Sequence, residues 1–249
     1  VDEHPQLLCQ RTYSFDKTIG GLLDLYEHMG YTSAETYISR LTDASMDVLD
    51  RNIPRDGIQD KRMKGQTEWY TLPEQLYRAY QFFGDEKYRK HAAEWHYDYM
   101  WNKVLSHDFN IGTRHAYSHV NCLSSAAKAY EVTGEEKYLD VMKIAYEELT
   151  AHHIYATGGY GPGENLFVDL EGYLGFTVSE PPLGLWGNAP VTYTNFSGQR
   201  IVKSEIWGNC EISCCSWAVF KLCNYLLRYT GDAKYADWAE KMLYNCTGG

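Results

Sequence analysis

No stretch of the 249-residue chain approaches the ~20 consecutive apolar residues that a helical membrane span requires, which predicts a soluble globular protein with no membrane partner. Basic charge is also scarce: 23 Lys and Arg face 33 Asp and Glu, for a net charge of −10. There is no Lys/Arg block and no Gly-rich phosphate loop, so a nucleic acid or a nucleotide is not the expected partner. A disulfide framework is missing too. The seven cysteines are odd in number and irregular in spacing, which fits reduced thiols and favours a cytoplasmic setting. Val1 is not a natural start, so secretion with removal of a targeting segment stays open. The sequons Asn195-Phe196-Ser197 and Asn245-Cys246-Thr247 are too common by chance to indicate secretion. Nothing in the sequence sets an oligomeric state.

Aromatic residues, in contrast, are abundant, with 22 Tyr and 7 Trp. Rings with a polar tip fill helix interfaces and also stack on sugar faces. Core packing is expected to account for most of them.

Four stretches share one pattern: "LLDLYEHMGYTSAETYISRL" (22–41), "LYRAYQFFGDEKYRKHA" (76–92), "AKAYEVTGEEKYLDVMK" (127–143) and "NYLLRYTGDAKYADWAE" (224–240). Each predicts the end of one amphipathic helix, a left-handed glycine that closes it, and an acidic start to the next. Gly30, Gly84, Gly134 and Gly231 mark the register, with gaps of 54, 50 and 97 residues. The longest gap must hold an extra hairpin or a long insertion. A repeated αα-hairpin either stacks in an open solenoid or closes into a ring. The hairpins exceed the usual ~34 to ~47 residues of linear repeats, which favours an all-α (α/α) barrel, or toroid, incomplete within this chain. A solenoid that binds a protein remains the alternative. Residues 1–249 read as part of one barrel domain, interrupted at about 155–207 by a loop-rich insertion dense in Gly, Pro and aromatics, expected to fold over the barrel mouth.

Glycoside cleavage needs one carboxylic acid to protonate the leaving oxygen and a second group to attack or stabilise the anomeric carbon. Candidate carboxylates are Glu68 in "GQTEWY", Glu164 in "GPGENLF", Glu205 and Glu211. Glu164 stands out because it follows a Gly/Pro turn after a helix. His115 and His119 in "RHAYSH" would share one face at the start of an inner helix, where they hydrogen-bond, stack or bind a metal. His152 and His153 suit a helix C-terminus. Cys210, Cys214 and Cys215 with Glu211 do not match the paired spacing of a zinc finger, so core cysteines, a zinc site and redox chemistry all stay open. Cys214 and Cys215, adjacent on a helix, would point about 100° apart, so one of them should be core.

Taken together, these residues resemble the β-L-arabinofuranosidase-type glycoside hydrolases of family 127 and its relatives, whose catalytic domain is an (α/α) barrel. The likeness runs through "HAYSHVNCLSSAAKAYEVTGEEKYL", with His115 nineteen residues before Gly134, then "YATGGYGPGENLF", then "CCSWAVFKLCNYLLRYTGDAKYADWAEKMLYN". It implies a retaining hydrolase acting on a glycan-derived oligosaccharide, with Glu164 as general acid/base and a cysteine nucleophile lying beyond Gly249. It also implies zinc, with Cys214 on the metal-binding cysteine. The family's zinc glutamate falls here on Ile212, which leaves the adjacent Glu211 as the candidate ligand. His115, His119, Glu68 and Trp69 would grip sugar hydroxyls and a ring face. A lyase or epimerase on the same toroid, using a His/Tyr pair, and a catalytically silent glycan-binding scaffold are the alternatives.

Overall fold

The computed structural model describes residues 11–111, 114–161, 166, 191–194, 200–203 and 214–247. Helices α1 (Arg11–Met29) and α2 (Ala34–Val48), α3 (Leu72–Phe83) and α4 (Glu86–Glu94), α6 (Ala116–Thr133) and α7 (Glu136–His152), and α8 (Cys215–Thr230) and α9 (Lys234–Met242) form the four hairpins that the glycine register marks. A further helix, α5 (Asp98–Leu105), lies between the second and third hairpins, and short 3-10 turns at Lys61–Met63 and Trp69–Thr71 precede α3. The long interval after Gly134 contains a two-stranded antiparallel ribbon, β1 (Val191–Thr194) with β2 (Arg200–Lys203), which the helical repeat did not anticipate.

The hairpin turns are built alike because their sequences are. Gly84, Gly134 and Gly231 all sit near φ +70°, and each donates its N–H to the carbonyl four residues back, on Tyr80, Tyr130 and Leu227. That is the left-handed closure which an L side chain resists. In the second and third hairpins a clasp recurs: the Tyr80 hydroxyl donates to Glu86 at 3.0 Å, and the Tyr130 hydroxyl to Glu136 at 3.4 Å. Four residues after each of these glycines stands a buried tyrosine, Tyr88, Tyr138 or Tyr235. The lysine before each holds its ammonium 5.2, 4.7 and 4.9 Å from the ring centroid. The repeated "KY" is therefore a plug with a cationic cover.

Two compact units divide the chain: residues 1–107 with 121–142, and residues 108–120 with 143–249. The core of the first is aromatic, with Trp69, Trp95 and Trp101 fully buried. Its centre includes His96, whose Nε2 lies 2.7 Å from the Tyr77 hydroxyl and whose Nδ1 lies 3.3 Å from that of Tyr138. Burial lowers the His96 pKa, so this imidazole is neutral, with one nitrogen donating and the other accepting. In the second unit Trp238 is buried against Tyr146 and Tyr160, and its Nε1 donates to the Gly158 carbonyl at 2.7 Å. The aromatic wealth of the sequence thus goes largely into packing.

Among the described residues no helix is long and apolar enough to cross a membrane. Among the described residues, Cys122, Cys214, Cys215, Cys223 and Cys246 form no disulfide. Cys215 and Cys223 are buried on α8, whereas Cys214 is exposed at its N-terminal end. The two adjacent cysteines do diverge, as a 3.6-residue helical turn requires.

Candidate active site

In the second unit, α6 begins at a histidine that caps it. His115 Nδ1 accepts the Ser118 backbone N–H at 3.3 Å and lies 3.1 Å from the Ser118 hydroxyl. An acceptor Nδ1 leaves the proton of a neutral imidazole on Nε2, so the half-buried ring presents an N–H donor from its far side. His119, one turn on, is bound the other way. Its Nδ1 donates to the His115 carbonyl at 2.8 Å, a carbonyl that also takes the His119 backbone N–H at 3.1 Å. His119 is fully buried, and burial, with the nearby Arg114 and His115, pushes its pKa down to about 3. The pair is not a two-toothed metal grip: one ring faces the helix start, and the other is an interior neutral group. Both had been expected to grip sugar hydroxyls, and of the two only His115 is partly exposed.

Against this helix start lies the turn that leads toward Glu164. Tyr155 and Gly158 close the turn through Tyr155 N–H to the Gly159 carbonyl and Gly158 N–H to the Tyr155 carbonyl, both 2.8 Å. Tyr160 is buried, and its hydroxyl donates to the Cys215 carbonyl at 3.3 Å. Gly161 has φ +79°, and a Cβ there would stand 2.8 Å from Ala116 Cβ and 3.2 Å from Cys215 Sγ. Only glycine allows the backbone this close to the first residues of both α6 and α8. Beyond it, Leu166 donates its N–H to the Arg114 carbonyl at 2.8 Å and is buried. The chain is therefore anchored before and after position 164 at the start of α6. Glu164 itself lies outside the described residues, as do Glu205, Cys210 and Glu211.

The start of α8 adds Cys214, exposed, and one turn later Trp217, 41% exposed. Trp217 stacks on Tyr117 of α6 with centroids 5.7 Å apart and planes 28° apart, and Tyr117 meets the His115 ring edge-on at 5.9 Å. Lys221 holds its ammonium 4.3 Å from the Trp217 ring. Neither Tyr117 nor Trp217 is among the site residues expected from the sequence. The signal was present in "HAYSH" and "CCSWAVFK", where each aromatic stands at the opening of an inner helix.

Glu68 and Trp69 belong to the first unit. Glu68 is one of the few non-glycine residues with positive φ, +58°, and it is 8% exposed. Such a conformation costs roughly 1–3 kcal/mol and persists only where the surroundings fix it. Here Thr12 Oγ1 donates to the neighbouring Thr67 carbonyl, and the Glu68 carbonyl takes both the N–H and the hydroxyl of Thr71, at 3.0 and 2.9 Å. Trp69 is 0% exposed. Its ring meets Tyr97 at 5.1 Å and Trp95 at 6.2 Å, and the Arg55 guanidinium lies 4.5 Å from its centroid. These contacts are with protein, so the ring positions Glu68 and Arg55 within this unit.

The resemblance to family 127 implies a zinc ion on Cys214. Among the described residues no cluster of three ligand-type side chains includes Cys214; the cluster present is Asp24, Glu27 and His28, exposed on α1. Arg78 already bridges Asp24 at 2.7 Å and Glu27 at 3.2 Å, which offsets one of the two carboxylate charges without a metal. The described residues thus supply one soft donor and no complete site, and no chemical step is routed through a metal here.

The repeated helical hairpins fit the (α/α)-barrel class of folds, and comparison with known proteins agrees. The chain belongs to the β-L-arabinofuranosidase GH127 catalytic-domain family, whose model matches residues 5–247. No curated protein sequence matches it. Among solved structures, a GH127 β-arabinofuranosidase is 19% identical, with a TM-score of 0.60 over 94% of this chain and 33% of its own. A GH127 β-L-arabinofuranosidase from Geobacillus stearothermophilus T6 is 17% identical, with a TM-score of 0.56 over 94% of this chain and 36% of its own. An inactive variant of the GH76A α-1,6-mannanase of Salegentibacter sp. HEL1_6, in complex with α-1,6-mannotetraose, is 15% identical, with a TM-score of 0.58 over 94% and 59%. At these identities the likeness shows the fold, an all-α (α/α) barrel, of which this chain spans from a third to about three fifths of these relatives' length.

Proposed function

We propose that this chain carries part of the active centre of a retaining glycoside hydrolase acting on L-arabinofuranosyl oligosaccharides. The observation that carries the reading is the anchoring of the chain at Gly161 against Ala116 and at Leu166 on the Arg114 carbonyl, both at the start of α6. A carboxyl group on that segment is suited to give its proton to the leaving glycosidic oxygen, and then, as carboxylate, to take a proton from the water that releases the sugar. His115 donates from Nε2 to a sugar hydroxyl. His119 remains neutral and fixes His115 through its carbonyl.

The nucleophile in this reading is a cysteine thiolate that attacks the anomeric carbon as the leaving oxygen departs. Cys122, Cys215 and Cys223 do not qualify, because burial raises the Cys122 and Cys223 pKa, the latter to about 12, and Cys215 is enclosed against Gly161. Cys214, exposed at the start of α8, is proposed as a zinc ligand with Glu211; bound zinc would hold a thiolate deprotonated. The single-barrel organisation of residues 1–249 is part of the same proposal.

Product analysis tests the reading. Incubation of the full-length protein with methyl β-L-arabinofuranoside should release L-arabinose with retention of the anomeric configuration by proton NMR. Methyl glycoside bound by the protein but left unchanged would instead identify a scaffold.

A further inference from the structure

In the first unit a guanidinium is held in the corner of two indoles. Arg55, on the loop between α2 and the turn at Lys61–Met63, lies 4.5 Å from the Trp69 ring centroid and 4.3 Å from that of Trp95. Its Nη2 donates to the Arg51 carbonyl at 3.2 Å, whereas Nη1 is buried and meets no acceptor. The indole N–H groups of the fully buried Trp69 and Trp95 likewise meet no acceptor. The acids nearby hold other cations: Glu94 takes Arg51 and His91, Asp50 takes Lys64, and Asp56 takes Arg62. Among the described residues no carboxylate pairs with Arg55. Burial, and after it the charge of Arg51, lower the Arg55 pKa more than Asp50 and Glu94 raise it.

Buried donors without acceptors cost free energy, and a buried charge without a counter-charge costs more. Stacking on two indoles offsets part of this. A water molecule brings no charge, and its two lone pairs cannot serve three donors. A small anion accepts from all three and neutralises the guanidinium. We propose that Arg55, Trp69 and Trp95 form a binding site for a small monovalent anion, a halide or a carboxylate of formate size, which steadies the Trp69–Thr71 turn at the entry to α3. The burial of Nη1 limits the size of the occupant, and the half-buried Arg55 side chain gives it a route from solvent. The site acts on the stability of this unit and is independent of the hydrolase reading.

The test is thermal unfolding of the full-length protein and of its Arg55→Gln and Trp95→Phe variants at constant ionic strength. Sodium gluconate, whose anion is too large for the site, is exchanged for chloride in one arm and for formate in another. The wild-type Tm should rise saturably, by about 3 °C or more, in at least one arm, and the arm that responds identifies the anion. Arg55→Gln should lose the saturable rise. Trp95→Phe, which keeps a ring but not its N–H, should need more anion to reach it. An equal response in wild type and Arg55→Gln would overturn the site, since the salt would then be acting on the whole surface. Wild-type crystals soaked in bromide and, separately, in formate read the site without any variant. Anomalous density from bromide, or a bound formate, within hydrogen-bond reach of Arg55 Nη1 supports the proposal; a water molecule or a carboxylate of the protein itself at that place in both crystals overturns it.

Discussion

His115 and His119 are four residues apart, yet the fold gives them opposite tautomers and opposite surroundings. His115 accepts at Nδ1 as a helix cap, and His119 donates from Nδ1 into the interior. The His119 pKa lies near 3 in the folded protein and at 6.5 ordinarily, so between those values the unfolded chain binds the extra proton. Its contribution to stability is therefore complete above about pH 6.5 and is lost as the pH falls toward 3, by up to about 1.4 kcal/mol per pH unit. The buried His96 has a lowered pKa and acts in the same direction. Urea unfolding across pH 4 to 7 should show this slope, and His119→Gln should flatten it; an unchanged slope in the variant would mean that His119 is not the titrating group. His115→Ala should cost about 1 kcal/mol for the lost cap and at least tenfold in kcat/KM, which separates it from a purely structural residue. The sequence shows both histidines at a helix start. It does not show which is interior, because that depends on residues far along the chain, such as Gly161 and Leu166, packing at the start of the helix.

The hairpins were legible because their signals are local: a 3.6-residue apolar period, a closing glycine, and the acidic and "KY" residues that follow. The ribbon β1–β2 was not, since its pairing joins positions inside a segment with no helical period. Nor was the strained backbone at Glu68, which distant hydrogen bonds maintain. Glycines in the two kinds of turn should respond differently to substitution. A Cβ on Gly134 meets nothing within 4 Å, so Gly134→Ala should cost only the left-handed strain, about 1–2 kcal/mol. Gly161→Ala adds collisions with Ala116 and Cys215, for roughly 2–5 kcal/mol in all, from about 1–2 of strain and about 1–3 of overpacking. Thermal or chemical denaturation of the two variants measures the difference. Equal losses would show that Gly161 is not wedged between the starts of α6 and α8.

Across the chain, membership of the GH127 catalytic-domain family and a fold shared at 19% identity or less in the relatives compared leave the identity of the sugar to the side chains around the helix starts. Zinc is a separate question. Full-length protein purified without chelator should carry about one zinc per chain, and Cys214→Ser should lose it, as removal of a thiolate ligand requires. Equal zinc in both would remove Cys214 from any metal site. The family motif around Glu164 is readable from the sequence, and the structure adds contacts of Gly161 and Leu166 with the start of α6. That carboxyl group is where the account is most exposed. Release of L-arabinose from methyl β-L-arabinofuranoside by Glu164→Gln should fall about 10²- to 10⁴-fold below wild type, with an unchanged circular dichroism spectrum, because the amide cannot deliver the proton. Near-wild-type release by the folded variant would contradict the assignment of Glu164 as the acid/base.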